Sequence, residues 1–524
     1  MSQHGLATGV STPLGSFASL SSSKAFLRTA SPARQALALI IAFTLLRLVL
    51  MEVVGLGVDE SYTLAISRVG VSLSYFDHPP LHIWLAHMAQ MLFGNDRAAR
   101  LPFVLLSGFT CWAMFGFASR LFGARAGLWS VLVMNLTIFF GLVSASWILP
   151  DGPLNLFLLL AAWAFTPIAL GEGQSHASWG RWLVIGLTIG LAGLSKYHAV
   201  LFGLSLLGFI AATPRLRPLF RQPQPYLGLM TALVIFSPVL IWNAEHGWVS
   251  FAFQGDRAGF HGIQLAGPLG QIAGQALLLT PWIFVPAAYA VYRGLKDGGS
   301  GARLCLWLGG SIVGFFILLS LWSGTGMIHW TMPGWLLLLP VLGDFLARSA
   351  QSRSWPKRWA AASLALFLLA SAGAAAASAT GWLGAEFPRL FKNDPTLGSF
   401  EWYPLRDDLA ARGLLSNPHL FVTTLDWVEG GKIAQALGGT LPVTVLSEYP
   451  HGFAFMPRPQ PGDNSLIIAR PEQITFALKR LHGYYAGIHR LAPITIGRDG
   501  REEIRLEVLY ARDLLKPYPD PYVR

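Results

Sequence analysis

Charged residues are scarce in this sequence. Asp, Glu, Lys and Arg make up 12% of the 524 residues, whereas 53% are hydrophobic. A soluble domain carries about 25% charged residues, so this composition excludes an ordinary soluble protein and indicates several membrane-spanning segments. Lys and Arg in cytoplasmic loops explain the net charge of +11. A nucleic-acid partner is not expected, since no basic stripe with interleaved aromatic residues is found.

Cysteines and nucleotide-binding motifs are also lacking. The two cysteines, Cys111 and Cys305, both lie in apolar runs. Buried free thiols are therefore expected rather than a disulfide framework. The sequence has no GxGxxG or P-loop motif, so nothing in it supports nucleotide binding. No internal repeat of fixed period is visible.

Long apolar runs, in contrast, are frequent. A transmembrane helix needs about 20 apolar residues. Eleven candidate spans begin near Ala36, Leu101, Ala126, Pro153, Trp182, Ala199, Tyr226, Pro268, Leu304, Trp330 and Trp359. We therefore predict a polytopic α-helical membrane protein with about 11–13 transmembrane helices. Residues 1–35, rich in Ser, Ala and Gly, are predicted to be a disordered cytoplasmic tail.

The basic loops predict the orientation. Loops rich in Lys and Arg face the cytoplasm; here they are Arg120–Arg125, Thr213–Pro223, Tyr292–Arg303 and Arg348–Arg358. With the tail inside as well, parity requires that the segment His78–Gly94 does not cross the membrane. We therefore predict a juxtamembrane helix there, on the outer face. The same parity places the unusual polar residues in outer loops, where a rigid scaffold commonly builds its sites.

The composition changes near Gly381. Beyond it, charges become frequent and strand-like runs appear. The runs are His419–Thr424, Ser465–Arg470 and Glu503–Arg512, with a helix-like stretch near Pro471–Leu481. We predict a transmembrane domain at residues 36–380 and a soluble α/β domain, of ordinary domain size, at residues 381–524. An odd number of crossings places this domain in the periplasm of a Gram-negative cell.

An acidic pair follows the first apolar run. Asp59 and Glu60 occur in "GLGVDESYTLAI", at the point where the first helix should leave the membrane. A solvated helix end would explain such a pair. A second polar cluster on the same face, "YFDHPPLH" from Tyr75 to His82, favours a functional interpretation instead.

The second cluster allows two kinds of ligand. His78 and His82 are four residues apart and could bind a divalent cation together with nearby carboxylates. Alternatively, His78 could bind an anion at the N-terminus of the following helix. The double proline Pro79–Pro80 suits the first turn of that helix, although it leaves open whether both histidines share a helical face.

Other outer loops supply cations and one more carboxylate. The additional candidates are Arg97, Arg100, Asp151, Lys196, Tyr197, Arg257, His261 and His329. Lys196 could simply be snorkelling at the membrane boundary, and Asp151 could be a helix N-cap. Arg47 lies within the first span, where a buried charge is either partnered or functional.

Carboxylates and cations on one face suit the transfer of a group off a phosphate. A carboxylate takes the proton from an incoming hydroxyl, and fixed cations stabilise the charge that grows on the departing phosphate. No water-soluble nucleotide sugar is expected outside the cytoplasm. The donor would therefore be a lipid phosphate reached from the bilayer.

Five sequence elements carry a resemblance to a known family. They are "DE" after the first span, "DHPPLHIWL" (Asp77 to Leu85), "RLP" (Arg100 to Pro102), "LPDGPLNLFLLL" from Leu149 and "GLSKYHAVL" from Gly193. Over roughly Ala36 to Arg348 the chain resembles GT-C type membrane glycosyltransferases. The similar branch includes protein O-mannosyltransferases, the lipid A aminoarabinose transferase and galacturonosyltransferases of the lipopolysaccharide core.

The resemblance implies a polyprenyl-phosphate sugar donor and inversion of the anomeric centre. It implies that Asp59 is the catalytic base, that His78 lies on the phosphate side and that Lys196 is the basic residue of the later turn. The aminoarabinose transferase has Lys where this chain has His78, and a basic residue where it has Tyr62. The substrate can therefore differ from that of the aminoarabinose transferase.

The expected function is transfer of a sugar to a glycolipid, such as lipopolysaccharide or lipid A, or to a protein, on the outer face of the inner membrane. Glu60 would position the acceptor or hold a neighbouring cation. The residues expected to bind substrate are Glu60, Asp77, His78, Arg100, Asp151, Lys196, Tyr197, Arg257, His261 and His329. No cofactor is expected, with a divalent cation as the alternative.

Two rival functions belong to other classes. A lipid-linked sugar transporter or flippase would have its charged residues near the bilayer midplane, in broken helices and paired repeats. A sensor or assembly factor that only binds a glycolipid would leave Asp59, His78 and Lys196 without a role. The sequence identifies neither the sugar nor the acceptor.

Overall fold

The computed structural model describes residues 31–323, 327–387, 389, 394 and 396–522. Most of the predicted tail, residues 1–35, lies outside them. Within its last residues, helix α1 begins at Pro32. Ser31 caps this helix by accepting a hydrogen bond from the backbone N–H of Arg34, and proline at the first helical position stabilises such a start.

Helices form most of the chain up to Glu386. In order they are α1 Pro32–Val53, α2 Val58–Ser67, α3 Leu81–Phe93, α4 Leu101–Phe122, α5 Ala124–Leu136, α6 Ser144–Ser146, α7 Asp151–Leu170, α8 Trp179–Ser195, α9 Ala199–Ala212, α10 Pro223–Glu245, α11 Val249–Asp256, α12 Gly267–Leu279, α13 Pro281–Asp297, α14 Ser300–Cys305, α15 Ser311–Leu319, α16 Met332–Ser352, α17 Trp355–Thr380 and α18 Trp382–Glu386.

Short helical segments of other types join them. Those of the 3₁₀ type are Arg97–Arg100, Ser175–Ala177, Pro214–Arg221 and Ile328–Thr331, and those of the π type are Phe139–Val143 and Leu306–Gly310. Within the described residues, seven helical stretches are long and apolar enough to cross a membrane, or up to ten if each of three bent pairs counts as one span. Every predicted span start falls in one of these or in the shorter apolar helix α8. The prediction of a polytopic helical membrane protein is confirmed.

Helices α2 and α3 lie outside these spans. With 13 residues, α3 is about 20 Å long at 1.5 Å per residue, which is too short for a hydrocarbon core of about 30 Å. It packs against α2 and against the segment Arg97–Arg100. This is the geometry predicted for a juxtamembrane helix at His78–Gly94.

The main hydrophobic core lies among the spans and contains both cysteines. Cys111 and Cys305 are buried and free, as predicted. Arg47 of α1 is also buried in this region, with 1% of its surface exposed. Its guanidinium donates to the carbonyl of Gly141 at 3.0 Å, to Ser107 Oγ at 3.2 Å and to Asn135 Oδ1. Arg47 is thus partnered by polar groups of three other segments.

Glycines allow helices α8 and α10 to approach closely. A Cβ placed on Gly186 of α8 would lie 2.2 Å from the carbonyl oxygen of Gly228 on α10. Small residues at such crossings let helix backbones pack directly against each other in a membrane. The two glycines therefore fix the separation of the two helices, which end just before Lys196 and His246.

We expect the substitution Gly186→Leu to separate these helices and lower the free energy of unfolding by about 1–3 kcal/mol or more, the usual result of overpacking. Gly203→Leu on α9 is the matched control, because a Cβ there meets no atom within 4 Å. Thermal unfolding in detergent, followed by tryptophan fluorescence, measures both. Equal stability of the two variants would contradict the close crossing.

The last spanning helix, α17, ends at Thr380, and Gly381 follows with a left-handed φ of 69°. Beyond it the described chain forms an α/β domain with helices α19 Tyr403–Ala411, α20 Trp427–Leu437 and α21 Ile474–Arg480. The strands are β1 Leu420–Thr424, β2 Val443–Val445, β3 Asn464–Ala469, β4 Tyr485–Arg490, β5 Ile494–Arg498 and β6 Arg501–Leu514.

The sheet is mixed and has the order β2-β1-β3-β6-β4, with β5 also paired to β6. β1 is parallel to β2 and β3, whereas β6 is antiparallel to its neighbours. The three predicted strands correspond to β1, β3 and β6, and the predicted helix to α21. Strands β2, β4 and β5 were not predicted, because β2 has only three residues and β4 and β5 carry no long apolar run.

The C-terminal domain shares its core with the two helices that lie outside the spans, α2 and α3. Tyr62 and Ile66 of α2 pack in one cluster with Trp402, Leu437 and Phe453. Helix α20 runs against α2 so closely that a Cβ on Gly431 would lie 3.0 Å from the backbone of Tyr62. The helix that carries Asp59 is therefore buried between the spans and the C-terminal domain.

Candidate active site

Helix α2 presents the two acidic residues to different surroundings. Because successive helical residues are rotated by about 100°, Asp59 is exposed whereas Glu60 is completely buried. Glu60 Oε2 accepts a hydrogen bond from the N–H of Gly57 at 2.7 Å, which satisfies a backbone donor at the start of the helix. The sequence places both residues in the first turn, but only the fold distinguishes their roles.

Glu60 holds the cation Arg100. The guanidinium of Arg100 donates to both carboxylate oxygens, with Nε at 2.6 Å from Oε1. It also donates to the carbonyls of Met51, Val54 and Gly55 at 3.1, 2.6 and 2.9 Å. Both side chains of the ion pair are 1% exposed. Of the two roles predicted for Glu60, the structure supports that of holding a neighbouring cation, and both residues bind the turn that leads into α2.

Asp59 is the exposed carboxylate of the site. Within the described part of the chain its side chain accepts no hydrogen bond, so its oxygens are available to a ligand. Although part of its surface is exposed, neighbouring protein partly desolvates this carboxylate and raises its pKa above the usual range, with a further increase from the charge of Glu60. Lys196 opposes the shift, while Asp77 and Asp151 add to it. Asp59 is therefore a stronger base than an ordinary surface carboxylate.

Asp77 is buried and held from three sides. Tyr62 donates its hydroxyl to Oδ2, and His451 Nδ1 lies 3.0 Å from Oδ1. The backbone carbonyl of Asp77 accepts from Gln254 Nε2 at 2.8 Å. This fixes the loop on which Asp77 precedes His78.

His78 and His82 face one another with ring centroids 5.5 Å apart. Burial lowers the pKa of His78 well below its usual value and that of His82 to about 3, so both imidazoles are neutral at physiological pH. Lys196 lowers both pKa values further, and the charge of Asp151 opposes the shift of His82. Within the residues that the structure describes, no group of three or more His, Cys, Asp or Glu side chains is arranged to hold a metal ion.

Asp151 and Lys196 form a buried ion pair. Lys196 Nζ lies 2.9 Å from each carboxylate oxygen, and the side chains are 4% and 5% exposed. Two alternative interpretations are thereby wrong. Lys196 does not snorkel into solvent, and Asp151 is not the N-cap of α7, because Pro150 occupies that position without a side-chain capping bond.

Arg257, Tyr197 and His329 extend the cluster, each from a different segment of the chain. Arg257 lies over the ring of Phe253 at 4.3 Å and interacts with the charge of Asp77. Tyr197 interacts with the same charge and packs on Phe251 at 5.5 Å. His329 interacts with Lys196, Asp151 and Arg257.

His261 has different surroundings. It is exposed, and its Nδ1 lies 2.9 Å from the carbonyl of Gly259 in its own turn. Arg97, outside the predicted binding set, pairs with Glu401 of the C-terminal domain.

Three residues near the site were not predicted. His198 interacts with Lys196, His329 and Arg257, and its position in the "SKYH" turn could have drawn attention to it. Lys432 of α20 donates to the carbonyls of Leu56 and Phe400 at 2.5 and 3.1 Å, and burial lowers its pKa to about 8. Neither Lys432 nor His451 lies in a sequence pattern that indicates its contact with the outer loops.

Comparisons with known proteins agree with this architecture. The model of a family described as dolichyl-phosphate-mannose-protein mannosyltransferase matches residues 77–242. ArnT from Cupriavidus metallidurans, bound to undecaprenyl phosphate, has a TM-score of 0.64 and 18% identity over 90% of this chain and 97% of its own. Its apo form gives a TM-score of 0.62 and 15% identity over 90% and 98%. No curated protein matches the chain.

The matched segment contains the loops that carry Asp77, His78, Arg100, Asp151 and Lys196. Asp59 precedes it, and its assignment as the base stays a prediction. The structural likeness extends over nearly the whole of both chains, including the C-terminal domain. The chain therefore has the GT-C fold of ArnT, and the resemblance to GT-C type membrane glycosyltransferases that its sequence predicts is confirmed.

Proposed function

We propose that the protein transfers a sugar from a polyprenyl-phosphate donor to a hydroxyl group of a glycolipid such as lipid A or the lipopolysaccharide core. The transfer would take place on the outer face of the bacterial inner membrane. The observation that carries the proposal is the exposed Asp59, a carboxylate with a raised pKa, within a cluster of buried cations and neutral histidines. Support for the donor comes from ArnT, the similar structure that holds undecaprenyl phosphate.

The proposed reaction is a single displacement at the anomeric carbon. Asp59 accepts the proton of the acceptor hydroxyl, whose oxygen forms a bond to the anomeric carbon of the donor sugar. The bond from that carbon to the phosphate oxygen breaks, and the polyprenyl phosphate leaves with the electron pair. Attack from the side opposite the phosphate inverts the anomeric centre.

The cluster stabilises the leaving phosphate. Arg257 and His78 are half-buried and are placed to contact it, whereas Lys196 acts through its fixed charge because Asp151 holds it. The donor phosphodiester carries one negative charge, and the second charge that develops on the leaving polyprenyl phosphate would favour protonation of His78, whose imidazole is neutral beforehand. Positive groups in a site of low water content stabilise such charge strongly.

We propose that these cations supply the electrostatic stabilisation without a cofactor. The alternative is a divalent cation held by His78 and His82 with help from substrate oxygens. Treatment with EDTA separates the two proposals. Full activity after treatment supports the first, and a loss that Mg²⁺ or Mn²⁺ restores supports the second.

Mass spectrometry of envelope glycolipids from cells with and without the gene tests the proposed function. We expect the deletion to remove one sugar mass from a glycolipid and to leave the lipid-linked sugar unused. Re-expression of the wild-type gene is the control and should restore the mass. An unchanged glycolipid profile together with unused donor contradicts the glycolipid acceptor.

A protein acceptor is the second candidate, and the match to the mannosyltransferase family model favours it. In that case the deletion removes a sugar from periplasmic or membrane proteins while the glycolipids stay intact. A transporter would give a different result. The purified protein would then form no product from donor and acceptor in detergent, and no lipid-linked sugar would reach the outer leaflet in the deletion.

A further inference from the structure

The short 3₁₀ helix His451–Phe455 of the C-terminal domain reaches the outer loop that carries Asp77 and His78. His451 has a left-handed backbone with φ of 54°, and its N–H donates to the hydroxyl of Tyr522 at 3.1 Å. The next residue, Gly452, leaves no room for a side chain, because a Cβ there would lie 2.7 Å from Tyr62 Oη. This 3₁₀ helix therefore approaches α2 closely.

Aromatic rings enclose the imidazole of His451. Its centroid lies 4.8 Å from that of Trp427, 5.5 Å from Phe253, and 6.2 Å from both Tyr62 and Phe76. The side chain is 14% exposed. These contacts come from both domains and hold the ring in one orientation, with Nδ1 directed at Asp77.

Asp77 is bound through both of its oxygens. His451 Nδ1 lies 3.0 Å from Oδ1, and Tyr62 donates to Oδ2. An ionised carboxylate only accepts hydrogen bonds, so Nδ1 of His451 carries the proton. The hydroxyl of Tyr62 in turn accepts from the N–H of Gly452 at 2.7 Å. The hydrogen bonds therefore link α2, the Asp77 loop and the C-terminal domain.

We propose that His451 of the C-terminal domain is a positioning residue of the active site, which holds Asp77 and thereby orients the adjacent His78 toward the donor phosphate. The inference rests on the proposed function. Through His451, the C-terminal domain would take part in binding the donor. His451 acts through Asp77 and does not itself contact the reacting atoms.

Two substitutions separate hydrogen bonding from packing. His451→Asn keeps an N–H donor near the position of Nδ1 and tolerates the left-handed backbone, but it removes the ring. His451→Phe keeps a ring and removes the donor. In the purified full-length protein we expect His451→Phe to raise KM for the lipid-phosphate sugar about tenfold, the effect expected for one hydrogen bond to a charged group. KM for the acceptor should change less, and His451→Asn should restore most of the donor affinity.

A third variant keeps the test decisive if His451→Phe does not fold. Tyr62→Phe retains the ring and the helix, but it removes the other donor to Asp77 and the acceptor of the Gly452 N–H. It should give the same selective rise in KM for the donor. In an Asp77→Ala background, which removes the shared acceptor, His451→Phe should add little further loss of donor affinity, because residues that act through one contact are not additive.

Equal losses for the Asn and Phe variants, or a fall in kcat without a change in KM for the donor, would overturn the inference. Full additivity of the losses caused by His451→Phe and Asp77→Ala would also overturn it. Failure of the proposed function gives a different result, since the wild-type protein itself would then transfer no sugar in the assay.

Discussion

Asp59→Asn is expected to reduce sugar transfer by a factor of about 10²–10⁴, the usual contribution of a general base. The amide has nearly the same shape but cannot take the proton of the acceptor hydroxyl. Because the described structure places no hydrogen bond on this side chain, the variant should unfold at the wild-type temperature or above it. The measurement is kcat/KM with a polyprenyl-phosphate sugar, together with thermal unfolding.

The control for Asp59→Asn is Glu52→Gln, which neutralises an exposed carboxylate at the end of α1 near the same surface. This variant should keep wild-type activity. If the two variants retain equal activity, Asp59 is not the base.

The pH profile gives an independent test of the same residue. The base must be ionised, so activity should increase as the pH rises through the pKa of Asp59. Burial and the charge of Glu60 raise that pKa, so the acidic limb of the profile should lie above the range of an ordinary aspartate, about 3.9.

Glu60→Gln is expected to lower the free energy of unfolding by about 3–5 kcal/mol, because it leaves the buried charge of Arg100 without its counterion. The amide can still accept a hydrogen bond, so the loss arises from the missing charge rather than from lost volume. Thermal and denaturant unfolding in detergent measure the effect. Transfer activity should fall as well, since Glu60 fixes the turn that carries Asp59.

The matched control is Asp297→Asn, which breaks an exposed ion pair. In this pair the side chain of Asp297 is 64% exposed and that of Arg293 is 53% exposed. Such pairs contribute at most about 1 kcal/mol. A change of less than 1 kcal/mol in both variants would contradict a structural role for Glu60. The double replacement Glu60→Leu with Arg100→Leu should recover part of the loss only, since the carbonyls that Arg100 binds would stay unpaired.

Local sequence patterns predicted the spans, the juxtamembrane helix and the position of Asp59. The bilayer requires long apolar runs, and an acidic pair directly after such a run is visible without knowing the fold. The same is true of the strands β1, β3 and β6, whose apolar residues form the centre of the sheet. Burial by distant parts of the chain cannot be predicted from these patterns.

The roles of Glu60 and Asp77 show this limit. Asp59 and Glu60 are neighbours in sequence but differ in exposure. Arg100, 40 residues from Glu60 in the sequence, pairs with Glu60 and not with Asp59. Asp77 was predicted to bind substrate, but its partner His451 is 374 residues away. Lys196 and Asp151 were both predicted as site residues, yet their pairing required the packing of α7 beside α8.

The shared core of α2 and the C-terminal domain has a consequence for biosynthesis. Lys432 of α20 binds the carbonyl of Leu56, which is 376 residues earlier in the sequence. The ribosome therefore completes every described spanning helix before it synthesises α20, the helix that covers α2. Contacts of such long range also form slowly, because the loop must close before they can stabilise anything. A nascent or C-terminally truncated chain would therefore be inserted in the membrane with Asp59 on an unsupported helix, and it should neither consume lipid-linked sugar nor escape quality-control proteases.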